Sequence, residues 1–237
     1  MNVKEAFPEY KKPAVAIDTV IIRTKDVGEV NGKLVNSKQT QVLLVRRKGT
    51  DLWHLPGTVL RLGETPNDAI SRILDNKIDI DNTDFEQLYT VADNPLRDER
   101  GHVISIVYIG LYKNMEIAIN NIKSTYESQW FWIGKLKDSM RRLCGEVTEE
   151  VVTTLDFDHE QIIIDTITRL KGKLMYTDIG FNLIKEKFTI RELENTFNAI
   201  NEKEIPGFRR YIANKISDTG LKEEDTGYRP AKIFTKK

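Results

Sequence analysis

The chain changes character once, near residue 155, and that change constrains the fold more than any local motif. Upstream, apolar residues run in short β-branched stretches: Ala14 to Arg23 (AVAIDTVIIR), Gln41 to Arg47 (QVLLVRR), Phe85 to Val91 and Val103 to Tyr112. Each has the length and composition of a strand, and the first two are expected to pair. One helix interrupts them. Thr65 is placed to cap it and Pro66 to open it, where a missing N–H costs nothing. Ala69, Ile70, Ile73 and Leu74 follow at helical spacing. With the aromatic cluster Trp130-Phe131-Trp132, a layered domain of mixed α and β elements is complete by about residue 150. Downstream, Asp158 with Gln161 makes a capping-box-like start to IIIDTITRLKGKL, and Phe188-Thr189 opens TIRELENTFNAI.

Pro206 begins a third helical piece, PGFRRYIANKI, and Asp225-Thr226-Gly227 lies between two short extended pieces, as in a hairpin. Helix, turn, helix, hairpin is the order of a winged helix-turn-helix. The expected division is therefore residues 1–154 and 155–237, and 237 residues with 40% hydrophobic content suffice for two cores. The polar stretch Thr24 to Thr40, with Asn31-Gly32 as a turn signal, reads as an inserted hairpin or loop.

Composition excludes several classes. No apolar run approaches the ~18 residues of a membrane span, and the N-terminal segment lacks the apolar centre of a signal peptide, so a cytoplasmic protein is expected. One cysteine, Cys144, and three scattered histidines give neither a disulfide nor metal-ligand spacing. Lys plus Arg equals Asp plus Glu at 36 each, so any nucleic-acid surface must come from local segregation. Residues 201–237 hold nine basic against six acidic side chains.

Leu55-Pro56-Gly57 followed by Gly63-Glu64 and Arg72 resembles the Nudix box, G-x5-E-x7-R-E-U-x-E-E-x-G-U, whose helix glutamates bind divalent cations for pyrophosphate cleavage. Hard Mg²⁺ takes several oxygen ligands at ~2.1 Å, and residues three and four apart share a helical face. Glu64, Arg72, Leu74 and Ile80 match. Thr58 stands for the first glycine, Ile73 for the glutamate after the arginine, Asn76-Lys77 for the glutamate pair and Asp79 for the second glycine. The carboxylates are replaced, and Lys77 puts a cation where a metal would sit. No catalytic residue and no metal ligand is assigned. A pyrophosphatase of ADP-sugars with an atypical metal site is the alternative.

Further motifs carry a longer resemblance: YTVADNPLRDERG running into VISIVYIGL, then LDFDHEQII, LMYTDIGFNLI, FTIRELENTFNAI, GFRRYI and TGYRPAKIF. In this order, from about Ala14 to Phe234, they resemble the NrtR-type Nudix-related transcriptional regulators. The resemblance implies an α+β chain: a Nudix-type α/β/α sandwich with a mixed sheet, then a C-terminal winged helix-turn-helix. It implies a homodimer that represses genes of NAD synthesis and salvage, or in some relatives sugar catabolism. The implied partners are double-stranded operator DNA and ADP-ribose or a related nucleotide sugar, with no required cofactor. The insertion at 24–40 departs from the family and bears on the effector or the dimer contact.

For the ligand, Arg46, Arg47, Arg97 and Arg100 are the cationic candidates, since guanidinium forks match phosphate oxygens. Arg46 and Arg47 alternate on a strand, so only one is expected to face a site. Asp93, Asp98 and Glu99 are the acids available to pair such arginines. Trp53 is a candidate to stack on a base or to fill the core. Glu64 is either a weak metal contact or an acidic residue favoured at a helix N-terminus. For DNA, Arg209 and Arg210 lie at the start of the third helix, with Lys215 near its end and Arg229 and Lys232 flanking the second wing strand. Thr189 would cap the preceding helix and leave its N–H groups for a phosphate.

Overall fold

The computed structural model describes residues 12–27, 29–30, 33–34, 37–78, 85–113, 125–133, 143–145, 151–152, 154–223 and 230–237. The turns at Asn31-Gly32 and Asp225-Thr226-Gly227, together with Asp79, Ile80 and Arg229, lie outside these residues, as do the side chains of Lys77 and Cys144.

The strands of the first half are β1 (Ala14–Asp26), β2 (Glu29–Val30), β3 (Lys33–Leu34), β4 (Lys38–Arg47), β5 (Gly57–Val59), β6 (Phe85–Val91), β7 (Val103–Leu111), β8 (Tyr126–Ile133), β9 (Leu143–Gly145) and β10 (Val151–Val152). They build a mixed sheet in the order β10-β9-β8-β4-β1-β7-β6, with β5 also on β1. The β1 and β7 pairing is parallel, and β1 and β4 are antiparallel. The base of the 24–40 insertion continues this ladder through Thr24 opposite Thr40 and Asp26 opposite Lys38, so both strands extend beyond the apolar runs that predict them. The hydroxyl of Thr40 donates to the Ala199 carbonyl at 3.0 Å, so this base touches the second half of the chain.

Alternation sorts the sheet into two buried faces. Ile17, Ile21, Leu43, Val45 and Trp130 pack under α1 (Pro66–Ile73) through Ala69, Ile70 and Ile73. Thr65 caps α1: its hydroxyl accepts from the Asp68 N–H, and the Asp68 carboxylate accepts from the Thr65 N–H. The helix ends in a widened π-type turn over Leu74–Ile78. Val20, Ile22, Val42, Leu44 and Phe131 face the other way, toward α2 (His159–Leu174). The result is the α/β/α sandwich.

The second half continues with a 3-10 turn (Ile179–Leu183), β11 (Lys187–Thr189), α3 (Ile190–Asn201), α4 (Phe208–Ile212), β12 (Ile216–Lys222) and β13 (Lys232–Lys236). The last strands form a sheet in the order β11-β13-β12. These elements form the winged helix, and α2, which covers one sheet face, also packs against them. Ile162, Ile163, Ile167, Leu170 and Leu174 join the sheet core to Phe181, Phe197 and Phe208 in one apolar cluster. Gly207 precedes α4 with φ 70, a left-handed conformation that glycine adopts without Cβ strain.

The capping box expected at Asp158 is not formed. Asp158 has φ −96 and ψ 22 with no side-chain cap bond, and the Gln161 amide donates to Asp165 at 2.9 Å. The Asp158 carboxylate is engaged elsewhere.

Phe197 is fully buried against Phe208 and Tyr211, and a Cβ on Gly180 would lie 2.4 Å from its ring. Gly180→Ala is therefore expected to destabilise the fold by about 1 to 3 kcal/mol through overpacking. A thermal unfolding midpoint equal to that of the unsubstituted protein would contradict this packing.

Candidate functional site

The main cleft, about 950 Å³, opens where β1, β5, the end of α1, the loop at 97–100 and the start of α2 meet. Its volume lies in the range of small-molecule binding sites. Leu55-Pro56-Gly57 organises it. The Leu55 N–H donates to His159 Nδ1 at 2.9 Å, and the Pro56 carbonyl accepts from both the N–H and the hydroxyl of Thr19. A Cβ at Gly57 would stand 2.2 Å from Asp18 Oδ1 and 3.1 Å from the Ile17 carbonyl oxygen, so a larger residue here would displace the Asp18 carboxylate. Asp18, itself buried, forms part of the cleft floor.

His159 is buried, and desolvation lowers its pKa below the usual histidine value. Because Nδ1 accepts from Leu55, the neutral ring carries its proton on Nε2, which faces Asp18 Oδ1 at 3.8 Å. One helix residue thus reads the backbone of the Leu-Pro-Gly turn and the floor of the cleft together.

Three arginines in the cleft wall are held by carboxylates. Arg72 forks onto Glu64 at 2.7 and 2.8 Å and also donates to the Thr58 hydroxyl at 2.6 Å. Arg97, with 5% of its side chain exposed, forks onto Asp158 at 2.7 and 2.5 Å and donates to the Ser105 hydroxyl. Arg100 pairs with Asp98 at 2.9 and 2.6 Å, yet 69% of its side chain is exposed, with the guanidinium 4.7 Å from the Phe157 ring centroid. The Arg100 pairing holds the Asp98 carboxyl below its usual range. Among the described residues, Arg47 and Arg61 line the cleft in no ion pair, and Asp18, Asp51 and Asp156 line it as well, so its charge is mixed and its arginines are its candidate phosphate-binding groups.

Several expectations need correction. Trp53 is 2% exposed and packs edge-on against Phe131, so it is a core residue and no stacking platform. Arg46 lies outside the cleft lining, 4.5 Å over the Trp53 ring and paired with Glu127 at 2.7 Å, while the next residue, Arg47, lines the cleft. Glu64 is not a cleft-lining group, because Arg72 and the Arg61 N–H occupy its carboxylate. Ile73 is buried in the core and the Asn76 amide donates to the Arg72 carbonyl. Among the described residues no group of three His, Cys, Asp or Glu side chains is arranged to hold a metal ion. Arg61, Asp18, Phe157 and His159 join the cleft without having been singled out for it, since neither periodicity nor spacing brings them together.

On the winged helix, Phe208 and Ile212 bury the inner face of α4 while Arg209 and Arg210 stand exposed. Lys215 is held by Asp178 at 3.0 Å and Lys232 by Asp218 at 2.7 Å, exposed pairs of the kind worth little and open to exchange for a phosphate. Thr189 caps α3, but its own N–H donates to the Glu192 carboxylate at 2.7 Å. That N–H is therefore not available to a phosphate.

The NUDIX domain family matches residues 30–143, and the NrtR DNA-binding winged helix domain family matches residues 180–235. Among known proteins, the ADPR responsive transcriptional repressor NtrR of Acinetobacter baylyi is 27% identical over 240 residues, covering 95% of this chain and 83% of that protein. An ADP-ribose pyrophosphatase of Methanocaldococcus jannaschii is 28% identical over 162 residues, 66% of this chain and 74% of its own length. Among solved structures, Shewanella oneidensis NrtR complexed with a 27mer DNA superposes with a TM-score of 0.68 at 28% identity, covering 94% of this chain and 93% of that one.

The Arg72 fork, helped by the Arg61 N–H, lowers the Glu64 pKa from 4.5 to about 2. A depressed folded-state pKa gives stability that is present above the unfolded value and lost as the pH falls through the folded one. The gap in unfolding midpoint between the native protein and Glu64→Gln should therefore be widest near neutrality, narrow below about 4.5 and close near 2. A gap independent of pH would contradict the pairing.

Proposed function

This chain belongs to the Nudix-related transcriptional regulators of the NrtR type, and from that membership we propose that it is a DNA-binding repressor whose Nudix domain binds ADP-ribose or a related nucleotide sugar without cleaving it. The observation that carries the reading is the joining of two features in one chain. An arginine-lined Nudix cleft in which Ile73 and Asn76 stand where metal-binding glutamates would be is connected, through α2, to a winged helix that exposes Arg209 and Arg210. The cleft's exposed guanidinium groups suit a diphosphate. The loss of carboxylates removes both metal polarisation and water activation, so a bound effector persists. The Acinetobacter and Shewanella relatives, named as a repressor responsive to ADPR and as a DNA complex, support the same reading.

In this proposal Arg97 and Arg100 are the first diphosphate contacts, with Arg47 beside them. Arg209 and Arg210 meet the operator, and Lys215, Arg229 and Lys232 meet flanking phosphates. The functional boundary falls at residues 154 and 155, the protein acts as a cytoplasmic homodimer, and the regulated genes serve NAD biosynthesis, salvage or related metabolism. The resemblance to an ADP-ribose pyrophosphatase favours hydrolysis as the second reading.

One experiment separates the two. Calorimetry with ADP-ribose is expected to show saturable binding. Product analysis with Mg²⁺ or Mn²⁺ is expected to show no turnover at the ~10 s⁻¹ typical of enzymes. Turnover at that rate would establish the hydrolase, and the absence of any binding heat would remove ADP-ribose as the effector.

A further inference from the structure

One aromatic ring stands in the cleft on a strained backbone. Phe157 has φ 57, a left-handed conformation that strains a bulky residue and persists only where its surroundings impose it. They do so on both sides. The Asp156 N–H donates to the Trp53 carbonyl at 2.9 Å, Asp158 takes the Arg97 fork, and His159 Nδ1 accepts from Leu55. Between these anchors Phe157 remains 41% exposed in the cleft lining, its ring centroid 5.2 Å from that of His159. Burial of the ring does not offset the strain. The Arg100 guanidinium covers its face at 4.7 Å, held there by a fork to Asp98 on a side chain that is itself largely exposed.

We propose that Phe157 is the stacking platform for the aromatic base of the nucleoside diphosphate ligand, the role that Trp53 cannot fill. A planar cation on an aromatic face marks a position that a planar base can take. The base takes the place of Arg100 over the ring, and Arg100 turns to the diphosphate. The inference rests on the nucleotide-binding reading above and deepens it, because the base then touches the residue two positions before α2. At the far end of that helix, the Tyr211 hydroxyl of α4 donates to the Leu174 carbonyl at 3.0 Å, so ligand and DNA-facing helix contact opposite ends of one element.

The test compares the native protein with Phe157→Ala, Phe157→Leu and Phe157→Tyr, each checked for an unchanged circular dichroism spectrum, in calorimetric titrations with ADP-ribose. Alanine and leucine are expected to weaken binding roughly tenfold or more, as loss of a base stack does, while tyrosine keeps near-native affinity. Leucine retains apolar bulk, so its loss assigns the effect to the aromatic face. In Phe157→Trp, ADP-ribose is expected to quench the added tryptophan emission, and ribose 5-phosphate, which lacks a base, is expected to leave it unchanged. Native affinity in the alanine and leucine variants overturns the platform while leaving nucleotide binding intact. Equal weakening in the tyrosine variant overturns it too. A native protein that binds no ADP-ribose overturns the proposed function and this inference together.

Discussion

The partly buried fork between Arg97 and Asp158 fixes the start of α2 to the cleft, and much of the molecule depends on it. Removing one partner from such a pair leaves an uncompensated charge in a poorly solvated place, which costs far more than the pair itself contributes. Beside it the Leu55 N–H holds His159, and His159 faces Asp18 from within the core. These contacts make the first turn of α2 a wall of the cleft. The remaining turns bury isoleucines and leucines against the sheet and the winged helix alike. A 16-residue helix has a rise of about 24 Å, so the element that senses the cleft also reaches the DNA-facing half.

The same economy accounts for the altered Nudix helix. Ile73 packs beneath the sheet with Ala69 and Ile70, so a position that would hold a glutamate now stabilises the sandwich. Glu64 and Arg72 satisfy one another and clamp the β5 edge through Thr58 and Val59. The site loses groups for chemistry and keeps those for shape, with arginines in its wall. In a sensor this is coherent, since a ligand that is consumed cannot hold an equilibrium.

The layers of the fold were legible because apolar alternation in Ala14–Arg23 and Gln41–Arg47 and helical spacing after Thr65 are local signals. The order of the winged helix was equally legible from Thr189, Pro206 and the tail. Partner choice was not. Asp158 carries the residue pattern of a cap, yet an arginine 61 residues away competes successfully for its carboxylate. Alternation says that Arg46 and Arg47 point oppositely, but only the position of Trp53 and Glu127 decides which one is drawn away from the cleft. Phe157 could not be recognised as a cleft residue, because a positive φ at a phenylalanine is imposed by its anchored neighbours and has no local sequence signal.

The central claim is that the cleft and the DNA-facing helix are coupled through α2. If a ligand lowers operator affinity by some factor, operator must lower ligand affinity by the same factor, since coupling free energy is reciprocal. The direct measurement is a pair of ADP-ribose titrations, one with the free protein and one at saturation with an inverted-repeat duplex selected by the protein from a random pool. The account predicts that bound DNA weakens ADP-ribose binding by roughly 5- to 150-fold, matching the loss of DNA affinity at saturating ADP-ribose. Identical ADP-ribose affinity in the two titrations would contradict the coupling, even with both ligands bound.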